Sequence, residues 1–230
     1  MVIQSPETVY LDPARQASPQ VFEQLRKMII NLDFPPGTLL IRADLMAKFG
    51  VSQTPIRDAL LKLSEEELVD IYPQHATIVS KIDTTQALQE HFLRLALELE
   101  VVETLATSER QDFIEPLKQI LLRQAASLEA RDFTRFSTDD TSFHEGMCEA
   151  AGVPRLWQLV RSRGGHVARL RRLHLPEGDK AKIVLSNHYE VINAIERRMP
   201  QLAREALRHH LSGTLSQLET IKERYPEYMR

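Results

Sequence analysis

The sequence predicts a mainly α-helical protein with two parts, a small N-terminal module that includes one β-hairpin and a larger C-terminal all-α helical bundle. Apolar residues recur at helical spacing through most of the 230 residues. Strand-like alternation of apolar and polar residues is confined to residues 68–79. Beyond residue 83 the sequence shows only the helical pattern, so a bundle is expected there.

Composition places the chain among ordinary globular proteins. Hydrophobic residues make up 43% and charged residues 27%, which excludes a long disordered or collagen-like chain. No apolar run approaches the roughly 18 residues of a membrane span, and the first 15 residues lack the blocks of a signal peptide. The single cysteine, Cys148, cannot form an internal disulfide. We therefore expect a cytoplasmic protein without a membrane partner.

The first helix of the N-terminal module is predicted over residues 18–31. Ser18 is suited to cap this helix and Pro19 to occupy its first position. The helix ends before residues 34–37, where two prolines and a glycine favour a turn. Its buried face is predicted to contain Val21, Leu25, Met28 and Ile29.

Two further helices follow in quick succession. One is predicted over residues 42–49, and Gly50 supplies the residue that commonly ends a helix. The next begins after Ser52 or Thr54, either of which could cap it, with Pro55 in its first turn. Its buried stripe is predicted to contain Ile56, Ala59, Leu60 and Leu63.

Two short helices joined by a tight glycine-containing turn form a helix-turn-helix, whose second helix enters the major groove of DNA by its N-terminal end. Hydroxyl, amide and guanidinium groups at that end could bind phosphates or base edges. Residues 68–72 and 76–79 alternate around residues 73–75, which predicts the hairpin called the wing. The residues at the leading end of the helix are Ser52, Gln53, Thr54 and Arg57.

Overall charge does not favour DNA binding. Residues 1–80 contain seven Lys and Arg against ten Asp and Glu, whereas a nucleic-acid-binding module is often basic. Arg57 and Lys62 could therefore be merely solvated charges on a small helical domain. The prediction depends instead on the combination of turn, helix and wing.

The module resembles the winged helix-turn-helix of GntR-family bacterial repressors. The segments PPGTLL, DLMAKFGVSQTPIRDALLKLSEEELV and YPQHATIVSKI follow the family pattern over about 65 residues. The resemblance implies binding to a double-stranded DNA operator. Three positions depart from the pattern: Gln53 replaces a usual arginine, Arg42 a usual glutamate, and His75-Ala76 a usual Arg-Gly. The DNA-binding candidates are Arg42, Ser52, Gln53, Thr54, Arg57 and His75.

The predicted domains are an N-terminal tail at residues 1–14, the winged helix-turn-helix at 15–80, a linker at 81–85, and an all-helical domain at 86–225. The last of these is expected to bind ligand and metal and to dimerise. Breaks at Asp112, Arg131-Asp132 and several glycines and prolines divide it into helices. Six helices are predicted, near residues 84–107, 110–130, 132–150, 154–173, 178–197 and 200–224.

Three of these helices place a histidine or a carboxylate on an otherwise apolar stripe. Asp140 and His144 lie one turn apart on one helix, and His188 and His210 lie on two others. Buried groups of this kind need partners, and a metal ion would satisfy all four. Histidines hydrogen-bonded within the core are the alternative. A second pair of this spacing, Glu205 and His209, falls toward the polar side of its helix.

The C-terminal half resembles the ligand-sensing FCD domain of the FadR-like subgroup of GntR regulators. The resemblance rests on RLALELE, DTSFHEGMCEAAG, NHYEVINAIE and ALRHHL. It implies that Asp140, His144, His188 and His210 bind a divalent ion, zinc or nickel, at the bottom of an effector pocket. It further implies that Arg94 faces a ligand carboxylate and that Arg169 contributes to ligand binding, against a solvated basic face as the alternative. One departure is Val153, where the family has asparagine.

Together these patterns predict a ligand-responsive regulator, usually a repressor in this family, that binds an inverted repeat as a homodimer and senses a small carboxylate effector. No catalytic residue is predicted, because the inward faces carry no general base besides the metal candidates. A metal-dependent enzyme using the same four residues is one alternative. A regulator whose helical half only dimerises is the other.

Overall fold

The computed structural model describes residues 8–73 and 75–230, and the chain divides into two compact units. The first contains the described residues up to Thr84 together with Arg224–Arg230, and the second contains Thr85–Glu223. Half of the predicted N-terminal tail, residues 1–7, lies outside the described residues. So does Gln74 at the tip of the predicted wing.

Three helices form the body of the first unit: α1 at Ala17–Ile30, α2 at Arg42–Phe49 and α3 at Gln53–Glu65. Gly50 ends α2 with φ 62°, a left-handed conformation that glycine adopts without steric cost. The helices pack around a core that includes Val21, Leu25, Ile29, Leu45, Phe49, Ile56, Leu60 and Leu63.

The predicted cap of α1 is wrong, whereas the predicted cap of α3 is confirmed in position. The residue before α1 is Gln16, so Ser18 and Pro19 lie inside the first helical turn. Proline is tolerated there because the N–H groups of the first turn have no intrahelical acceptor. Ser52 does precede α3, but its side chain makes no capping hydrogen bond.

The wing is an antiparallel hairpin of β1 at Val69–Tyr72 and β2 at Ala76–Val79. The predicted hairpin is thus confirmed. A third segment pairs with the other edge of β2, where Leu39 bridges Ile78 and the Val79 amide donates to the Thr38 carbonyl at 2.9 Å. The sequence pattern missed this segment because it is too short to show alternation.

The segment predicted as a linker, residues 81–85, is hydrogen-bonded. Ile82 pairs in parallel with Met229, its amide donating to the Tyr228 carbonyl at 2.8 Å and its carbonyl accepting from the Arg230 amide at 3.0 Å. Helix α4 begins at Thr84. The end of the chain therefore belongs to the first unit, which the predicted boundaries did not include.

The chain from Thr84 to Arg224 consists of helices joined by short connections, with one 3₁₀ turn at Leu215–Gln217. Two predicted helices are each divided in two by glycines. A Cβ at Gly164 would lie 2.9 Å from the Val160 carbonyl oxygen, and Gly213 ends the helix that was predicted to run to residue 224. The helices are α4 Thr84–Thr107, α5 Ile114–Glu129, α6 Phe133–Ala150, α7 Pro154–Arg163, α8 Gly165–His174, α9 Lys180–Glu196, α10 Pro200–Ser212 and α11 Leu218–Arg224.

In the second unit α5 packs against α6 and α9, and α9 packs against α10. Their apolar stripes meet in one core that includes Phe143, Val191 and Leu207, each essentially inaccessible to solvent. This packing turns the inner faces of α6, α9 and α10 toward one another. No helix within the described ranges has the length and apolarity needed to cross a membrane.

Candidate metal centre and DNA-binding surface

The four residues predicted as metal ligands come together in the second unit. Asp140 and His144 project from α6, His188 from α9 and His210 from α10, and all four are buried. One ligand atom from each lies within 4.8 Å of the others. The phase of polar residues on the buried stripes was therefore sufficient to find this cluster.

The histidine nitrogens converge at a spacing that suits a shared ion. The Nε2 atom of His210 lies 3.1 Å from that of His144 and 3.2 Å from that of His188. Two nitrogens bound at about 2.1 Å to one ion would be about 3.0 Å apart at a right angle and about 3.4 Å apart at the tetrahedral angle. An Asp140 carboxylate oxygen lies 3.5 Å from the Nε2 atom of His188.

The other ring nitrogens fix the tautomers of two histidines. His144 Nδ1 lies 2.5 Å from a Glu98 carboxylate oxygen, and His188 Nδ1 lies 2.8 Å from the Gln124 amide oxygen. Each Nδ1 must donate its proton to these acceptors, so each Nε2 atom carries a lone pair toward the cluster. The Nε2–H of His210 could satisfy only one of those two lone pairs. The donor set therefore fits a divalent cation better than a self-contained hydrogen-bond network.

Electrostatics keep the cluster in the protonation state that a cation requires. Burial lowers the pKa of His144 and His210, and it lowers the pKa of His188 to about 3. Burial would raise the pKa of Glu98, but the neighbouring Arg94 and His144 lower it to about 2. The imidazoles of His144, His188 and His210 are thus neutral, and the Glu98 carboxylate is charged, near neutral pH.

Glu98 and Gln124 are functional candidates that the sequence reasoning missed. Glu98 lies one turn after Arg94 on α4, within the RLALELE segment, and this spacing was an available signal. Gln124 had no such signal, because only the packing of α5 against α9 brings its amide to the histidine.

Two arginines border the cluster. Arg94, predicted to face a ligand carboxylate, donates from Nε to Glu98 at 2.5 Å, while its buried Nη2 atom has no hydrogen-bond partner among the described residues. Its guanidinium carbon lies 5.9 Å from the centre of the Trp157 ring. Arg171, which the sequence did not single out, donates from Nη2 to both Asp140 oxygens at 2.6 and 2.7 Å.

Arg169 does not join these groups. It is fully buried, so the solvated basic face considered as its alternative role is wrong for this residue. Its Nε donates to the Gly165 carbonyl at 3.2 Å, and its Nη2 lies 3.1 Å from Nδ1 of His166. Since residues 169 and 171 lie about 200° apart around a helix, only one of them can point at Asp140.

The predicted DNA-binding residues are all exposed in the first unit. Arg57 is the most informative, because its side chain is 60% exposed and, within the described ranges, pairs only with its neighbour Asp58 at 3.3 Å. The hydroxyl of Ser52 makes no capping hydrogen bond to the backbone of α3. The leading end of α3 thus presents donors to solvent, as do the other candidates, Arg42, Gln53, Thr54 and His75.

A winged helix-turn-helix followed by an all-helical domain with a buried Asp/His cluster defines a class of protein, the DNA-binding transcriptional regulators. Residues 17–79 match the family model described as bacterial regulatory proteins, gntR family, and residues 90–213 match the FCD domain. The chain therefore belongs to the GntR family and carries an FCD domain. It is a regulator and not an enzyme, which removes the metalloenzyme alternative.

Relatives agree with this assignment. The chain is 32% identical to an HTH-type transcriptional regulator from an unstable DNA locus of Streptomyces ambofaciens, over 90% of this chain and 87% of that protein. It is 26% identical to the HTH-type transcriptional repressor RspR of Escherichia coli K12, over 93% of both chains. Among solved structures, E. coli McbR/YncC superposes with a TM-score of 0.78 at 18% identity, covering 92% of this chain and 99% of that one, which supports the fold.

Proposed function

We propose that this regulator is a homodimeric repressor that binds an inverted-repeat operator and senses a small carboxylate in a metal-containing pocket of its FCD domain. The convergence of three imidazole nitrogens and one carboxylate beside the unpartnered Nη2 group of Arg94 carries the sensing half of the proposal. The exposed donors at the start of α3 carry the DNA-binding half.

Asp140, His144, His188 and His210 would hold a divalent ion, zinc or nickel. Such an ion supplies a Lewis-acidic coordination position for a ligand oxygen. Glu98 and Gln124 keep the lone pairs of His144 and His188 directed at the ion by accepting the Nδ1 protons. Arg171 holds the Asp140 carboxylate in place from the opposite side.

The charges at the cluster favour an anionic effector. Arg94 balances Glu98, and Arg171 balances Asp140, so the protein groups sum to zero with neutral histidines. A divalent cation adds two positive charges to a buried region, where uncompensated charge is costly. A carboxylate would offset part of that charge and accept a hydrogen bond from Nη2 of Arg94.

On the DNA side, Arg57 at the start of α3 would contact a guanine or a phosphate, with Ser52, Gln53 and Thr54 beside it. Arg42 and His75 would add contacts from α2 and the wing. One module reaches only a few base pairs, and a two-fold dimer would read two half-sites. Effector binding would change operator affinity through a coupling of about 1–3 kcal/mol.

Metal analysis and DNA binding test this proposal together. Purified protein should carry about one divalent ion per chain, and the His210→Ala variant should carry none. The His209→Ala variant is a matched control, because His209 is exposed on the same helix and should keep its metal. Candidate acids should alter the retardation of an operator fragment by the wild type, but not by His210→Ala.

Three results would contradict parts of the proposal. If His210→Ala retains the wild-type metal content, the four residues are not the ligands. If His210→Ala loses the metal but still responds to the acid as the wild type does, the effector does not bind at the metal. Sedimentation of the full chain as a monomer at the concentrations used for DNA binding would remove the dimer.

A further inference from the structure

An open cleft lies in the second unit where α8 ends, α9 begins and α10 ends. Its volume is about 410 Å³, within the range of small-molecule sites. None of the four metal candidates lines it, and neither does Arg94. The lining residues include Lys180, Ile183, Asn187, His209, Gly213 and Gln217.

The cation at this cleft is Lys180, the first residue of α9. It is half-buried, and among residues 8–73 and 75–230 it forms no ion pair and no side-chain hydrogen bond. The adjacent Asp179 pairs instead with Lys182 at 2.9 Å. Burial and the nearby Arg171 lower the pKa of Lys180, which is the expected cost of an ammonium without a counter-charge.

Gly213 makes room for that ammonium group. A Cβ built at residue 213 would lie 2.7 Å from Nζ of Lys180. The backbone of Gly213 has φ −65°, which any residue can adopt, so its conformation does not require glycine. The ammonium group can therefore lie against residue 213, and a side chain there would make the flexible end of Lys180 move.

Asn187 adds an amide to the same cleft. It is 7% exposed, and its side chain forms no hydrogen bond within the described part of the chain. Lys180 and Asn187 are seven residues apart, or nearly two helical turns, so they share one face of α9. His188 is turned about 100° away toward the metal cluster. An amide that opens onto a cleft without a protein partner is normally bonded to water or to a ligand.

We infer that this cleft binds a small hydroxylated carboxylate, whose carboxyl group pairs with Lys180 and the amide of Asn187, at a site separate from the metal cluster. The pairing follows because a cation and an amide supply the donors that a carboxylate requires. Glu177, Asp179 and the imidazole of exposed His209 also line the cleft and can accept hydrogen bonds from hydroxyl groups. The inference does not depend on a metal.

Calorimetry on the full chain stripped of metal by a chelator tests this site. The probe is D-gluconate, with sorbitol as an uncharged polyol of equal chain length. We expect gluconate to bind and sorbitol to give no signal, with Lys180→Met binding gluconate about 10-fold more weakly or worse because a charge-assisted hydrogen bond is lost. Gly213→Ala should also weaken binding, because its methyl group displaces the ammonium.

One variant serves as the control. Lys182→Met removes an exposed lysine two residues away and should bind gluconate as the wild type does. The inference is overturned if gluconate gives no signal, if sorbitol binds equally well, or if Lys180→Met binds like the wild type. Should Lys180→Met fail to fold in a thermal melt, a crystal soaked with gluconate decides: density against Lys180 and Asn187 supports the site, and density only elsewhere overturns it.

Discussion

The start of α3 and the buried Asp/His cluster differ in how firmly their side chains are held. Arg57 is exposed and pairs weakly with a sequence neighbour, whereas His144 and His188 are inaccessible and oriented by Glu98 and Gln124. An exposed donor can adapt to DNA at little cost to the fold. A buried cluster is ordered before its ligand arrives, so its residues contribute to folding and binding at once. Substitutions at the start of α3 should therefore impair DNA binding with little effect on the fold. Substitutions in the buried cluster should impair both stability and ligand binding.

The largest effect is expected for Glu98→Ala. This change leaves the Arg94 guanidinium buried and unpaired, which should lower the free energy of unfolding by about 3–5 kcal/mol in a urea titration. Glu103→Ala is the matched control, since it removes a glutamate on the same helix whose ion pair with Arg204 is partly exposed to solvent. That variant should lose at most about 1 kcal/mol. Equal losses would mean that burial does not distinguish the two pairs.

Gln124→Ala should affect the metal more than the fold. Without the amide oxygen that accepts from Nδ1 of His188, metal affinity should fall by about 10–100-fold in competition with a chromophoric chelator. Gln119→Ala, an exposed glutamine on the same helix, should leave the affinity unchanged. Wild-type affinity in Gln124→Ala would show that the orientation of His188 does not depend on this hydrogen bond.

Arg57→Ala should weaken DNA binding without changing the thermal stability of the protein. Loss of one arginine contact to a base or phosphate corresponds to about 1–3 kcal/mol, so affinity should fall at least about 5-fold for a fragment selected from random DNA by the wild type. Its thermal midpoint should not change, because the side chain is exposed. Lys62→Gln, on the same helix but with its ammonium 4.0 Å over the Phe22 ring, is the control. Unchanged binding by Arg57→Ala would remove α3 as the recognition helix.

The smallest effect is expected for Gly50→Ala. A left-handed backbone at φ 62° costs a residue with a Cβ about 1 kcal/mol, which should appear as reduced stability in a denaturant titration. Space is not the cause, because a Cβ there would meet nothing within 4 Å. Gly213→Ala is the control for this variant, because the backbone conformation of Gly213 suits alanine. A stabilised Gly50→Ala variant would contradict the conformational argument.

Much of the fold and of the metal cluster could be predicted because both depend on periodicity. The hairpin, the three helices of the module and the inward positions of Asp140, His144, His188 and His210 all follow from which residues share a face. His209 is exposed and the adjacent His210 is buried, so helical phase alone correctly predicts which of these two histidines faces the core.

What the sequence could not predict depends on how helices rotate and pack. The sequence alone does not distinguish the roles of Arg169 and Arg171. The orientation of α8 directs Arg171 at Asp140. The contact of Gln124 with His188 joins residues 64 apart in the chain. Gly164 at the helix break has a negative φ, and its lack of a Cβ matters only because the folded backbone brings the Val160 carbonyl oxygen close to it.

The pairing of Ile82 with Met229 has a consequence for how the protein can be altered. Residues 224–230 are last in the sequence but belong to the unit that contains the winged module, where they complete the hydrogen bonds of residue 82. Deleting them would expose a buried isoleucine and leave its amide and carbonyl groups without protein partners. A truncation at the C-terminus would therefore damage the DNA-binding unit.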